Sequence, residues 1–167
     1  SHIAKEMVEA LPDEVWNSKT TFLDPACKSG IFLHEIYKKL MSSESVIAEY
    51  PDKKERREHI LNNQLYGIAM DETCWMLSVR TIYGQLKPDS HIITIENYIT
   101  MIKNPDQRFL YEVLKKEFNT VKFDVVIGNP PYGAWQTPEK RELLKKKYVG
   151  QYVKETYTLF LLRSLSV

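Results

Sequence analysis

Apolar and polar positions follow two rhythms along the chain: short runs of strand length, each closed by small or polar residues, and longer stretches with helical spacing. Ile3 to Leu11 places Ile3, Met7, Val8 and Leu11 on one helical face and stops at Pro12. Thr20 to Asp24 reads as a first strand with Phe22 and Leu23 as its apolar body. The turn Pro25-Ala26-Cys27-Lys28-Ser29-Gly30 follows, then a helix from about Ile31 to Met41 with Ile31, Phe32, Ile36 and Leu40 apolar and Glu35, Lys38 and Lys39 facing out. Ser42 to Asn63 is highly charged and has sparse anchors, Val46, Ile47, Ile60 and Leu61, which predicts two solvent-facing helices separated at Pro51. Gln64 to Ala69 is a second strand, and Met70-Asp71-Glu72 leads into a helix through Trp75, Leu77 and Ile82 that ends at Gly84. His91 to Ile95 is a third strand, Phe109 to Phe118 a helix, the run ending at Gly128 a fourth strand, and Glu155 to Leu165 an apolar last helix. Strands alternating with helices predict an α/β fold, a parallel sheet with helices on both faces and right-handed crossovers.

The chain is organised around Phe123-Asp124-Val125-Val126-Ile127-Gly128-Asn129-Pro130-Pro131-Tyr132. A buried strand there delivers polar side chains to its carboxyl end, where open α/β sheets bind ligands. Pro130 and Pro131 fix φ and donate no N–H, and a residue before a proline is extended, so the backbone neither continues a ladder nor starts an ordinary helix. What remains is acceptors: the Asn129 side-chain oxygen and the Pro130 carbonyl, with the Tyr132 ring beside them. Such a site suits a planar group carrying an NH2. A strand followed by a proline turn accounts for the same four residues without any ligand.

The first strand, tight turn and helix form a ligand-cradling unit in which small residues let the backbone approach, Gly30 removes a Cβ where the helix begins, and Asp24 offers a carboxylate. A well-packed turn with a capping Asp is the structural alternative. The turn is not G-x-G-x-x-G and gives little support for a dinucleotide. Asp71 either caps the helix after it or accepts from the vicinal hydroxyls of a ribose. It lies 47 residues after Asp24, against about 20 in the dinucleotide fingerprint. Glu96-Asn97-Tyr98 ends the third strand, as a simple turn or as a polar edge and aromatic face for a purine.

At 167 residues the chain is one domain's length, with no internal repeat and no linker. No apolar run spans a bilayer and no signal pattern opens the chain, so a cytoplasmic setting without a membrane partner is expected. Cys27 and Cys74 are well separated, which points neither to a disulfide framework nor to a zinc site; no metal is expected. A net charge of +1 does not announce a nucleic-acid binder, yet Glu139 to Lys154 holds six basic residues against two acidic ones, a local balance of +4. A solvated helix face and a phosphate-contacting surface both fit it.

Taken together, the motifs are specific. Asp24-Pro25-Ala26-Cys27-Lys28-Ser29-Gly30 resembles the first motif, usually DPACGSG, of S-adenosylmethionine-dependent DNA adenine-N6 methyltransferases, and Asn129-Pro130-Pro131-Tyr132 resembles their catalytic NPPY. Both follow strands, in the family's order, about a hundred residues apart. Ile3 to Leu11 is similar to the helix after the family's upstream Thr-Pro motif. The pattern is most similar to large restriction-modification polypeptides of which a methylase lobe is one part.

The resemblance implies a Rossmann-like class I methyltransferase fold, with S-adenosylmethionine as cofactor and adenine flipped from double-stranded DNA as substrate. It implies that Asn129 and Pro130 accept the N6 hydrogens, that Pro131 keeps that loop rigid, and that Tyr132 stacks on the base. Asp24 would meet the methionine ammonium, with Ala26, Cys27 and Gly30 shaping the turn around it. Asp71 would hold the ribose, and Asn97 with Tyr98 would lie near the cofactor adenine. Lys28, Ala69 and Asn97 depart from the family's usual residues, all on the cofactor side. The family's sheet has seven strands in the order 3-2-1-4-5-7-6, of which residues 1–167 are expected to supply about four, as the amino-terminal part of the catalytic domain without its target-recognition domain. The expected partners are therefore DNA and the remainder of a longer polypeptide or a partner subunit. Rival expectations are a protein glutamine or RNA adenine methyltransferase, and a non-catalytic scaffold lobe with a decayed cofactor site.

Overall fold

Phe22–Cys27 forms a strand, β1, against which the rest of the sheet is laid. The computed structural model describes residues 2–94, 107–120, 122–129 and 138–147. Among them β1, β2 (Leu65–Ala69), β3 (Ile92–Thr94) and β4 (Val125–Val126) make one parallel sheet in the order β3-β2-β1-β4. That order agrees with the first four positions expected of a methyltransferase sheet. The chain steps outward from β1 through β2 to β3, then returns to place β4 on the other side of β1, so the strand order reverses between β1 and β4. A reversal of this kind opens a crevice at the carboxyl ends of the two strands.

Seven helices accompany the described strands: α1 (His2–Glu9), α2 (Ile31–Ser42), α3 (Glu44–Glu49), α4 (Lys53–Asn63), α5 (Glu72–Tyr83), α6 (Gln107–Phe118) and α7 (Pro138–Lys147). Every residue of β1 and β2 is buried, as parallel strands covered on both faces require. On one face Phe22 and Leu65 join the core with Trp16, whose ring stacks on Phe22 at 5.6 Å, and with Leu33, Ile36 and Leu40 of α2. On the other, Tyr66 meets Phe118 of α6 and Phe123 edge-on, both at 5.2 Å, and stacks on His91 at 4.6 Å. Helices thus cover both faces.

β4 is held in place at its start. The Asp124 carboxylate accepts from the Thr21 amide and hydroxyl, each at 2.8 Å, and the Val125 and Ile127 amides donate to the Thr21 and Leu23 carbonyls, each at 3.0 Å. These bonds fix the register Phe22 to Val125 and Leu23 to Val126. Gly128 and Asn129 are thereby carried to the end of β1.

Several local expectations need correction. The α1 face is turned: Ala4 and Val8 are buried, while Ile3 and Met7 are 62% and 43% exposed, because α1 lies close against α2 and a small residue suits that contact. β1 runs three residues past Asp24, and its pairing with β2 slips between Asp24 and Cys27, where three steps on β1 match two on β2. Pro25 has no N–H for the ladder, so a bulge absorbs it. In α2 the core stripe is Leu33, Ile36 and Leu40, and Ile31 and Phe32 are only half-buried. Of the four anchors between α2 and β2, Ile47 is exposed, and Arg56 is buried instead, donating to the Tyr50 and Pro51 carbonyls. The third strand starts at Ile92, and Ile95 and the predicted last helix lie outside the described residues.

Candidate active site

The crevice predicted by the strand order is present, with a volume of about 250 Å³. Its walls bring Asp24, Ala26, Lys28 and Ser29 from the end of β1 together with Asn129 after β4, and Ile3, Ala4, Ile31 and Phe32 supply apolar lining. Two motifs separated by about a hundred residues therefore face one space.

Asp24 is 2% exposed, and its only hydrogen bond among the described residues comes from the Ala26 amide to Oδ1, at 3.0 Å. No cation forms an ion pair with it there. Burial raises its pKa from the ordinary 3.8 to about 7, against the opposing pull of the Ala26 amide and the Lys28 charge. A carboxylate left in this condition is an acceptor for a cationic ligand group. Beside it, the backbone of Gly128 comes so near that a Cβ there would stand 2.6 Å from Asp24 Oδ1. Gly128→Ala is therefore expected to push the carboxylate aside and to destabilise the fold by roughly 1–3 kcal/mol, readable as a lowered midpoint in urea. An unchanged midpoint would show that the strand end gives way freely.

Ala26 and Cys27 are buried at the end of β1, and burial, reinforced by the Asp24 charge, pushes the Cys27 thiol well above its usual range. Cys27 is thus a packing residue in its neutral form. Gly30 precedes α2 with φ of 73°, and a Cβ on it would reach to 3.0 Å from the Ser78 backbone, so a left-handed turn and the close approach of α5 both call for glycine there. Lys28 occupies an ordinary region: Asn119 is the one described non-glycine residue with positive φ. The departure from glycine at residue 28 costs no backbone strain.

Asn129 is exposed at the mouth of the crevice, and its amide has no hydrogen-bond partner among the described residues. Asp71 does not line the crevice; it is the N-cap of α5, accepting from the Cys74 amide at 2.7 Å, and that bond holds its carboxyl below the usual range. Its capping role is therefore met, and its exposed carboxylate leaves further acceptor positions. Ala69 is fully buried between Cys27 and Thr94, so nothing polar is presented at that position. Pro130, Pro131, Tyr132, Asn97 and Tyr98 lie outside the described residues. Among the described residues, no group of three His, Cys, Asp or Glu side chains gathers to hold a metal ion, and no helix is long and apolar enough to cross a membrane.

Ile3, Ala4, Lys28, Ser29, Ile31 and Phe32 are site residues that the motifs alone did not assign. The pattern carries no signal for them: Ile3, Ile31 and Phe32 read as core positions of their helices, and it is the burial of Ala4, Val8, Leu33, Ile36 and Leu40 instead that frees them to line the crevice.

A family model described as Eco57I restriction-modification methylase matches residues 63–167, and one for the DNA-methyltransferase domain of MmeI matches residues 4–81. The type II restriction enzyme and methyltransferase RM.Eco57I of Escherichia coli is 27% identical over an alignment of 191 residues, which covers 92% of this chain and 19% of that protein. An uncharacterized adenine-specific methylase of Mycoplasma pneumoniae is 23% identical over 174 residues, covering 71% of this chain and 41% of its own length. Among solved structures, a modification subunit assigned to a type I restriction enzyme of Vibrio vulnificus superposes with a TM-score of 0.61 at 21% identity, over 98% of this chain and 29% of that one, which establishes a shared fold. The chain spans well under half the length of each of these relatives.

Proposed function

This chain belongs to the Eco57I restriction-modification methylase family, and from that premise we propose that it forms the cofactor and base-holding part of an enzyme that methylates the N6 amino group of adenine in DNA. The observation that carries the reading is the shared crevice of Asp24 and Asn129 at the reversal of strand order. One residue suits the cofactor and the other suits the base.

The residues present fit S-adenosylmethionine. Its amino-acid part carries an ammonium, and Asp24 is a buried carboxylate on the crevice wall without a cationic partner among the described residues, with the Gly128 backbone packed beside it. When bound, the cofactor supplies a methyl group on a positively charged sulfur. Asp24 orients that ligand through its ammonium, while Ala26 and Gly30 let the backbone come close. Asp71 is the proposed ribose acceptor through the lone pairs its cap leaves free, and Asn97 with Tyr98 are the proposed neighbours of the cofactor adenine.

Chemistry on an amino group stacked inside a duplex requires the base to be turned out. The Asn129 side-chain oxygen and the Pro130 carbonyl are the proposed acceptors of the two N6 hydrogens, Tyr132 is the proposed stacking partner of the ring, and Pro131 restricts the backbone of the motif. Both acceptors draw the nitrogen lone pair away from the ring and stabilise the positive charge that grows on nitrogen as it attacks the methyl carbon. With the cofactor bound, its methyl group would be the electrophile for that nitrogen, and the proton the nitrogen sheds would pass to water. In-line placement supplies much of the acceleration.

The test is transfer of a labelled methyl group from S-adenosylmethionine by the full-length protein to duplex DNA, to RNA and to protein in parallel. Label in DNA alone is expected. Label in a protein amide or in RNA would overturn the DNA assignment while keeping the crevice chemistry.

A further inference from the structure

The wall that holds Asp24 also holds a cation whose charge eases the ionisation of Asp24 without closing an ion pair with it. Lys28 begins the turn after β1, lines the same crevice, and makes no ion pair among the described residues. Packing does not explain it, since the side chain is exposed, and neither does the turn, since its φ is ordinary. Two residues on, Gly30 caps α2 without any side-chain hydrogen bond, so the first-turn amides of that twelve-residue helix keep their donors, and Ile31 and Phe32 of that turn line the crevice. The positive end of the helix dipole, the Lys28 residue and the buried Asp24 carboxylate therefore all border one space.

A negative floor with a positive rim matches a ligand that carries an ammonium and a carboxylate on one carbon. We propose that Lys28 binds the α-carboxylate of the methionine part of the cofactor while Asp24 holds its α-ammonium, so that the crevice recognises an amino-acid zwitterion. The inference rests on the reading of the ligand as S-adenosylmethionine. It gives the departure from glycine at residue 28 a positive role in cofactor selection. The competing possibility is that Lys28 neutralises Asp24 and must be displaced by the incoming ammonium. The two side chains form no ion pair, which favours separate partners.

The decisive experiment titrates the full-length protein and its Lys28→Met variant with two ligands, S-adenosylmethionine and its decarboxylated analogue, which keeps the sulfonium and the amine but lacks the carboxylate. Lys28→Met preserves stem length without charge, and an unchanged melting temperature controls for folding. The wild type is expected to prefer the carboxylated ligand, and the variant to lose roughly three- to tenfold in affinity for it while binding the analogue as before. The wild-type preference is also expected to shrink with added salt, as for an exposed charge contact. A variant with the wild-type preference intact would overturn the assignment, and a variant that binds S-adenosylmethionine more tightly would replace it by the competition. A wild type that binds neither ligand would overturn the cofactor reading itself, and the zwitterion site with it.

Discussion

Asn129→Ala is expected to slow methyl transfer by roughly 10²–10³ while leaving the affinity for S-adenosylmethionine within about a factor of two. Asn129 is exposed, lines the crevice, and bonds to nothing else among the described residues, so its removal disturbs no packing. The residue's proposed work is confined to the transition state: its oxygen accepts an N6 hydrogen as the nitrogen becomes positive. Loss of one such preorganised partner costs roughly 10²–10³ in turnover. Single-turnover transfer and calorimetric titration on the same variant separate the two quantities. A variant that turns over normally would remove Asn129 from the chemistry. One that loses cofactor binding in proportion would make it a binding residue instead.

The second large effect comes from Asp24→Asn, and it has opposite signs for binding and stability. Burial holds the Asp24 pKa near 7 in the folded protein, against 3.8 ordinarily. The group's contribution to stability is thus fully present below pH 3.8 and is lost as pH rises through about 7, where the charge must be carried inside the crevice. The cost above that window is on the order of 4 kcal/mol. Asn keeps the acceptor for the Ala26 amide and cannot ionise, so the variant is expected to melt higher than the wild type at pH 8 and to lose that advantage towards pH 4. Cofactor affinity moves the other way: wild-type binding strengthens roughly tenfold between pH 6 and pH 8 as Asp24 ionises, and the variant binds at least about a hundredfold more weakly at pH 8. Thermal melts and titrations at three pH values read both. A variant that is less stable at pH 8, or that binds as the wild type does, would contradict the role of Asp24 as an unpaired buried carboxylate awaiting a cation.

The trade-off explains why a small α/β lobe tolerates such a group. Asp24 is held by a single amide where a purely structural acid would be surrounded by donors, and the backbone of Gly128 packs beside it. The sparse hydrogen bonding lowers stability when Asp24 is charged, and the glycine lets the strand end pass beside the carboxylate without displacing it.

Much of this was legible in the chain because apolar runs and turn residues coincide. β2 and α5 are bounded by an unambiguous run and by Gly84 in its left-handed conformation, and the helix break at Pro51 follows from its backbone chemistry. Pairing of distant segments was carried by the motifs rather than by the pattern: nothing in Thr20 to Asp24 or in the run ending at Gly128 says that the two strands are neighbours, and the hydrogen bonds of Asp124 to Thr21 join residues 103 apart in sequence. What misled the reading was size. Ile3 and Met7 look like the buried side of α1 because they are large, yet the close packing of α1 on α2 selects Ala4, and Ile3 becomes a crevice wall. Pro25 looked like the start of a turn because it cannot donate, yet a bulge carries β1 past it to Cys27. Asp71 shows the limit of a residue type as evidence, since a carboxylate at a helix start caps the helix whatever else it holds.

If the Asp24 and Asn129 motifs form one site for methyl transfer to an adenine amino group, the identity of the methylated atom reveals it. Duplex DNA treated with the full-length protein and S-adenosylmethionine labelled in its methyl group is digested to nucleosides and analysed by mass spectrometry. Label is expected in N6-methyladenine, reduced roughly 10²–10³-fold in the Asn129→Ala reaction. Label in a methylated cytosine, or in adenine with the Asn129→Ala protein fully active, would contradict that assignment.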